Sequence, residues 1–95
     1  SLQLFPQDPA SNYFMGMMYY KTRQYKYAIG YLRPFSESVP NHPRIHAILG
    51  QCYEGTGDYQ SAYAQYTMQL KVAPGGEAGN VARTRANAIR LKYGK

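Results

Sequence analysis

The chain has one cysteine, Cys52, no tryptophan, and five acidic residues against eleven lysines and arginines. A single thiol excludes an internal disulfide framework and a thiolate-rich zinc site, so packing has to hold the fold. The shortage of acids leaves a formal charge of +6, two units in residues 1–42 and four in 43–95. Such an excess attracts anionic partners over distance, whether acidic peptide, nucleic acid or lipid headgroup. No run approaches the roughly 18 consecutive apolar residues of a membrane span, and no span is expected. The compartment is unassigned, with cytoplasm favoured. A phosphate loop is missing as well, because Gly75-Gly76 has no Gly-Lys-Ser/Thr beside it. At 95 residues the chain has little room for both a core and a large catalytic cleft.

What is abundant is periodic. Pro6, Pro40 and Pro74 stand 34 residues apart, and the same offset pairs Pro9 with Pro43, Gly16 with Gly50, Tyr19 with Tyr53, Tyr25 with Tyr59 and Ala28 with Ala62. Met15 with Leu49 and Leu32 with Tyr66 fill the gaps. A period of this length marks a stacked repeat rather than a single irregular core. Each unit reads as two helices. In the second, Pro43 suits a first helical turn, and Ile45, His46, Leu49 and Tyr53 follow at helical spacing. Gly55-Thr56-Gly57 ends that helix, Asp58 caps a second over Tyr59 to Val72, and Pro74-Gly75-Gly76 stops it. Gly16 and Gly50 cost about 1 kcal/mol each inside a helix. Close approach of two antiparallel helices, with Ala28 and Ala62 opposite the glycines, is the expected reason. Pro34 conflicts with a straight second helix in the first unit and predicts a kink or early end between Tyr31 and Phe35.

These residues resemble the tetratricopeptide repeat. Leu49, Gly50, Tyr53, Gly57, Asp58, Tyr59, Ala62, Tyr66 and Pro74 fall on that family's positions in the second unit, with His46 for its Trp and Gln69 at a small-residue position. The first unit matches at Met15, Gly16, Tyr19, Tyr25, Ala28, Leu32 and Pro40, with Asn12 for Trp and Phe35 for the small residue. The resemblance implies an all-α helix-turn-helix solenoid of antiparallel helix pairs in a right-handed superhelix. Residues 9–42 and 43–76 are the two repeats, and 77–95 a C-terminal capping helix. Residues 1–8, which carry only the closing Pro6, are expected to be the tail of a preceding repeat, making the chain a section of a longer array.

Catalysis is not expected. Cys52 and His46 lie about 240° apart around one helix, and read as a small buried residue and a packed histidine. His42 reads as a capping or solvent-facing group, and no metal site or cofactor is assigned to these residues. Asp8, Asp58 and Glu77 sit at helix starts, where unpaired amides favour negative charge. The function expected instead is a non-enzymatic scaffold that binds a protein or peptide partner, with no small-molecule substrate.

In the tetratricopeptide family, ligands touch set positions on the first helices of successive units. Carried onto this sequence, those are Ala10, Tyr13, Met17, Tyr20 and Lys21, then Arg44, Ala47, Gln51 and Glu54, then Val81, Arg85 and Ala88. The peptide-binding set drawn from them is Tyr13, Met17, Tyr20, Lys21, Arg44, Gln51, Glu54 and Arg85, and an acidic partner suits its cations. The two-carboxylate clamp that some members use for chaperone tails is missing, since Tyr13, Met17, Ile48, Ala78 and Ala82 hold its positions. Two alternatives come from other classes. Interleaved Tyr and basic residues from Tyr19 to Tyr27 offer a surface for single-stranded RNA, although the basic residues scatter over several faces. The apolar start, Leu2, Leu4 and Phe5, offers self-association, because two repeats fall short of the roughly three needed for independent stability.

Overall fold

The computed structural model describes residues 9–93. The expectations for residues 1–8, including Leu2, Leu4 and Phe5, lie outside the described residues. The rest is helical, with no strand among the described residues: α1 (Pro9–Lys21), α2 (Tyr25–Ser38), α3 (Ile45–Thr56), α4 (Tyr59–Val72) and α5 (Gly76–Tyr93). Consecutive helices pack on one another, and α3 also touches α5. Measuring 46 × 25 × 20 Å, the molecule is elongated as a stack of helix pairs should be.

The two pairs repeat one backbone device. At the end of α3, the Gly57 amide donates to the Glu54 carbonyl at 3.0 Å and the Asp58 amide to the Tyr53 carbonyl at 2.9 Å. At the end of α1, 34 residues earlier, Arg23 donates to Tyr20 at 3.1 Å and Gln24 to Tyr19 at 2.8 Å. Both are Schellman closures, which satisfy the orphan carbonyls of a helix C-terminus and require a left-handed residue. Gly57 takes φ 86° at no steric cost, whereas Arg23 is held at φ 64° with a side chain in the way. Asp58 then caps α4 through its side chain, accepting from the Ser61 amide at 3.1 Å, while Gln24 makes no such bond for α2.

Two apolar clusters bridge successive units, α2 to α3 and α4 to α5. The first joins Ala28, Leu32, Phe35, Ile45, Ile48, Leu49 and Cys52. The second joins Ala62, Tyr66, Ala82, Ala86 and Ile89. Gly16 and Gly50 do allow close approach, but the neighbours are Leu32 and Tyr66 rather than Ala28 and Ala62. A methyl group added at Gly16 would overlap Leu32, and one at Gly50 would overlap the Tyr66 ring. The glycines thus make room for the large residue one turn beyond the alanine. Gly55 does the same for Tyr25, which closes the end of the first pair against α3.

Two expectations are corrected. The second helix of the first unit does not end early at Pro34, for α2 continues to Ser38. Proline there removes the bond that its amide would have donated to the Gly30 carbonyl, and the helix bridges that gap. Pro43 lies before α3, not in its first turn, and the helix starts at Ile45. Arg44 is the N-cap residue and makes no side-chain cap, while His42 Nδ1 accepts from the Arg44 amide at 3.1 Å in the turn before the helix. Helix α5 is longer than the first helix of either pair, because Leu91 and Lys92 stand where Gly57 and Asp58 made the turn. The helix runs on to Tyr93, which stacks on Tyr59 at 4.6 Å.

Candidate functional site: a wall shared by three helices

Helices α1, α3 and α5 carry the predicted binding residues, and side-chain bonds tie the three together. The Tyr20 hydroxyl donates to Gln51 Oε1, linking α1 to α3. Glu54 links α3 to α5. Its Oε1 accepts from Arg85 Nε at 3.0 Å, and its Oε2 takes Arg85 Nη2 at 2.5 Å. The Tyr66 hydroxyl of α4 donates to the same carboxylate at 2.6 Å. Burial alone would raise the Glu54 carboxyl, but the hydrogen bonds from Arg85 and Tyr66 outweigh it and hold the group below its ordinary range. The same arrangement raises Tyr66, first through burial and then through its bond to Glu54. Burial likewise raises Tyr20.

Along this wall run three depressions. One of about 420 Å³ is framed by Tyr20, Lys21, Arg23, Tyr25, Gln51 and Glu54. A second, also about 420 Å³, lies between α3 and α5 beside Glu54, Arg85 and Tyr93. The third, about 170 Å³, lies towards the other end of the helices, among Tyr20, Arg44, Gln51 and Val81. Of the predicted set, Tyr20, Lys21, Arg44, Gln51, Glu54 and Arg85 therefore border shared concave surface. Tyr13 and Met17 lie half-buried on the same face of α1 and pack on the first cluster. The Tyr13 ring contacts Phe35 at 4.9 Å and His42 at 5.2 Å between ring centres, so its faces are engaged within the chain.

Two important residues were not singled out from sequence as site or clasp groups. Arg23 borders the first depression, and its signal was its place at the Gly57 register. Gln69 is fully buried and joins three segments. Its Oε1 accepts from the Ala47 amide at 3.0 Å, and its Nε2 donates to the carbonyls of Pro43 at 2.6 Å and Ala73 at 3.1 Å. A polar side chain at a small-residue position was the clue.

The remaining candidates for chemistry are structural. Cys52 is fully buried and burial pushes its thiol up to about 12, which leaves no thiolate at neutral pH. His46 is buried with both ring nitrogens engaged. The Pro40 carbonyl at 3.0 Å can only accept, so Nε2 donates, and Nδ1 faces the Gln65 side-chain amide at 2.8 Å. Burial lowers His42, and the neighbouring Arg44 adds to this. No group of three possible metal ligands exists among the described residues.

Residues 1–68 match the family of subunit 3 of the anaphase-promoting complex, or cyclosome. The anaphase-promoting complex subunit 3 of Dictyostelium discoideum is 26% identical over 74 residues, covering 78% of this chain. The chain spans about 8% of the length of that relative. No solved structure matches significantly. With most of its length inside the match and its helices paired at a 34-residue period, the chain belongs to the anaphase-promoting complex subunit 3 family, a tetratricopeptide-type repeat family.

Proposed function

We propose that the chain is a non-enzymatic interaction module of a larger assembly and holds a peptide segment along the wall of α1, α3 and α5. The observation that carries this reading is the pair of bridges, Tyr20 to Gln51 and Glu54 to Arg85, which join three helices into one surface with depressions beside it. Membership of a subunit family supports the larger assembly. The wall offers amide and hydroxyl groups at Gln51 and Tyr20 for a peptide main chain, and aliphatic surface at Ala78 and Val81 for side chains. Tyr13 and Met17 extend the same face of α1 beyond Tyr20, half-buried against the first cluster.

Residues 9–42 and 43–76 act as the two repeats and 77–95 as their cap. In support of a cap, the outer face of α5 up to Arg90 is polar, with Arg83 paired to Asn80 at 3.2 Å and Arg90 to Asn87 at 2.7 Å, and Leu91 is its exposed apolar residue. Single-stranded RNA is the weaker reading, because stacking needs free ring faces. Tyr19 stacks on Tyr31 at 5.7 Å and Tyr25 is pressed against Gly55, which leaves Tyr27, tilted against Tyr19 at 5.4 Å, as the exposed ring of that run.

Selection of a random peptide library on the chain tests the groove. Binding of the selected peptides is expected to fall with Gln51→Ala and Tyr20→Ala and to persist with Lys71→Ala on α4. Loss with Lys71→Ala alone would place the site on the other layer.

A further inference from the structure

We propose that the end of the groove at the α1–α2 turn is a receptor for an acidic peptide segment, with Lys21 and Arg23 as its cations. This deepens the peptide-groove reading and rests on it. Three observations converge on that end of the molecule.

The first is charge. Among the described residues, the one ion pair is Glu54 with Arg85, and neither Lys21 nor Arg23 has a carboxylate or hydrogen-bond acceptor supplied by the fold. Both border the same depression of about 420 Å³. The second is the state of the only acid there. Glu54 has Arg85 on both carboxylate oxygens and Tyr66 on one, so its charge is answered from within and the depression is left with the two free cations. For the same reason Arg85 is committed to Glu54 and is not the anion receptor that its groove position implied.

The third is the backbone at Arg23. The residue holds a left-handed φ of 64° at the register where Gly57 makes the equivalent turn freely. An unforced turn would use glycine, and strained residues concentrate where a side chain is needed for function. The strain here keeps a guanidinium at the mouth of the depression. A carboxylate pairs with that planar group in bidentate fashion, with Lys21 as a second point charge and the Gln51 amide for the main chain. Nucleic acid shares the negative charge, but it would want exposed ring faces, and those of Tyr19 and Tyr25 are occupied.

Because glycine suits the turn better than arginine, the obvious variant also separates binding from folding. The experiment measures fluorescence polarisation of a labelled decapeptide rich in Glu, of its Glu-to-Gln counterpart, and of an oligouridylate of equal charge. Each is titrated into the 95-residue chain and into Lys21→Gln/Arg23→Gly. The wild-type chain is expected to prefer the Glu peptide to both other probes. The double variant is expected to lose about tenfold in affinity for the Glu peptide, as two charge-assisted contacts imply, with an unchanged or higher melting temperature. Equal binding of the Glu and Gln peptides, or no loss in the variant, overturns this proposal and leaves the groove reading standing. Binding of neither peptide overturns both, and tighter binding of the oligouridylate replaces the peptide with nucleic acid.

Discussion

The two helix pairs trace the same backbone with different residues at the points that matter. The second pair turns through Gly57 and Asp58, one free in the left-handed region and the other capping the next helix. The first pair makes an identical hydrogen-bonded turn with Arg23, which is strained, and Gln24, which does not cap. The same contrast recurs at the far end, where Phe35 closes the first pair by ring packing and Gln69 closes the second by hydrogen bonds. The lesson is that the repeat requires a shape, and different chemistry can satisfy it. The first pair does so with a strained residue and no side-chain cap, and the strained residue borders the groove.

The largest test of that comparison is at Gln69. Gln69→Ala leaves the Ala47 amide and Pro43 carbonyl unpaired in the interior and opens a cavity, for an expected loss of about 3 kcal/mol in chemical denaturation. Next are the caps. Asp58→Ala is expected to cost about 1 kcal/mol, and Gln24→Ala close to nothing, by the same measurement. Arg23→Gly should stabilise the chain by up to about 1 kcal/mol, while Gly57→Arg should destabilise it by a similar amount. A loss of stability in Arg23→Gly would show that the turn is not strained.

The smallest effect expected is that of pH on the Glu54 bridge. A carboxyl held below its ordinary value contributes its full stabilisation above the unfolded pKa, near about 4.3, and loses it as pH falls through the lower folded value. With Arg85 half-exposed and screened by solvent, the contribution is about 0.5 kcal/mol. Glu54→Gln should therefore flatten the stability profile below about pH 4.5 and leave its shape at neutral pH unchanged.

Helix pairs were legible in the sequence because proline, glycine and aromatic residues recur at one offset, and those types set turns and close approaches. The cap at Asp58 was legible for the same reason, since its partner is three residues away. What the offset did not carry was contact between turns. Leu32 over Gly16 and Tyr66 over Gly50 depend on which rotamer reaches the gap, and spacing alone pointed to the nearer alanines. The binding set was legible as a face, yet its internal bonds were not. Tyr20 with Gln51, and Glu54 with Arg85, are each 31 residues apart and meet only because the pairs stack. Pro34 was legible as a break in the hydrogen-bond ladder, but not as a stop, because the helix continues past it to Ser38.

The groove is tested most directly by nuclear magnetic resonance of the isotope-labelled chain during titration with the Glu-rich decapeptide. Shift changes are expected to concentrate at Tyr20, Lys21, Arg23, Gln51 and the side chain of Arg44. Changes centred on α2 and α4, at residues such as Arg33 and Lys71, would contradict the account.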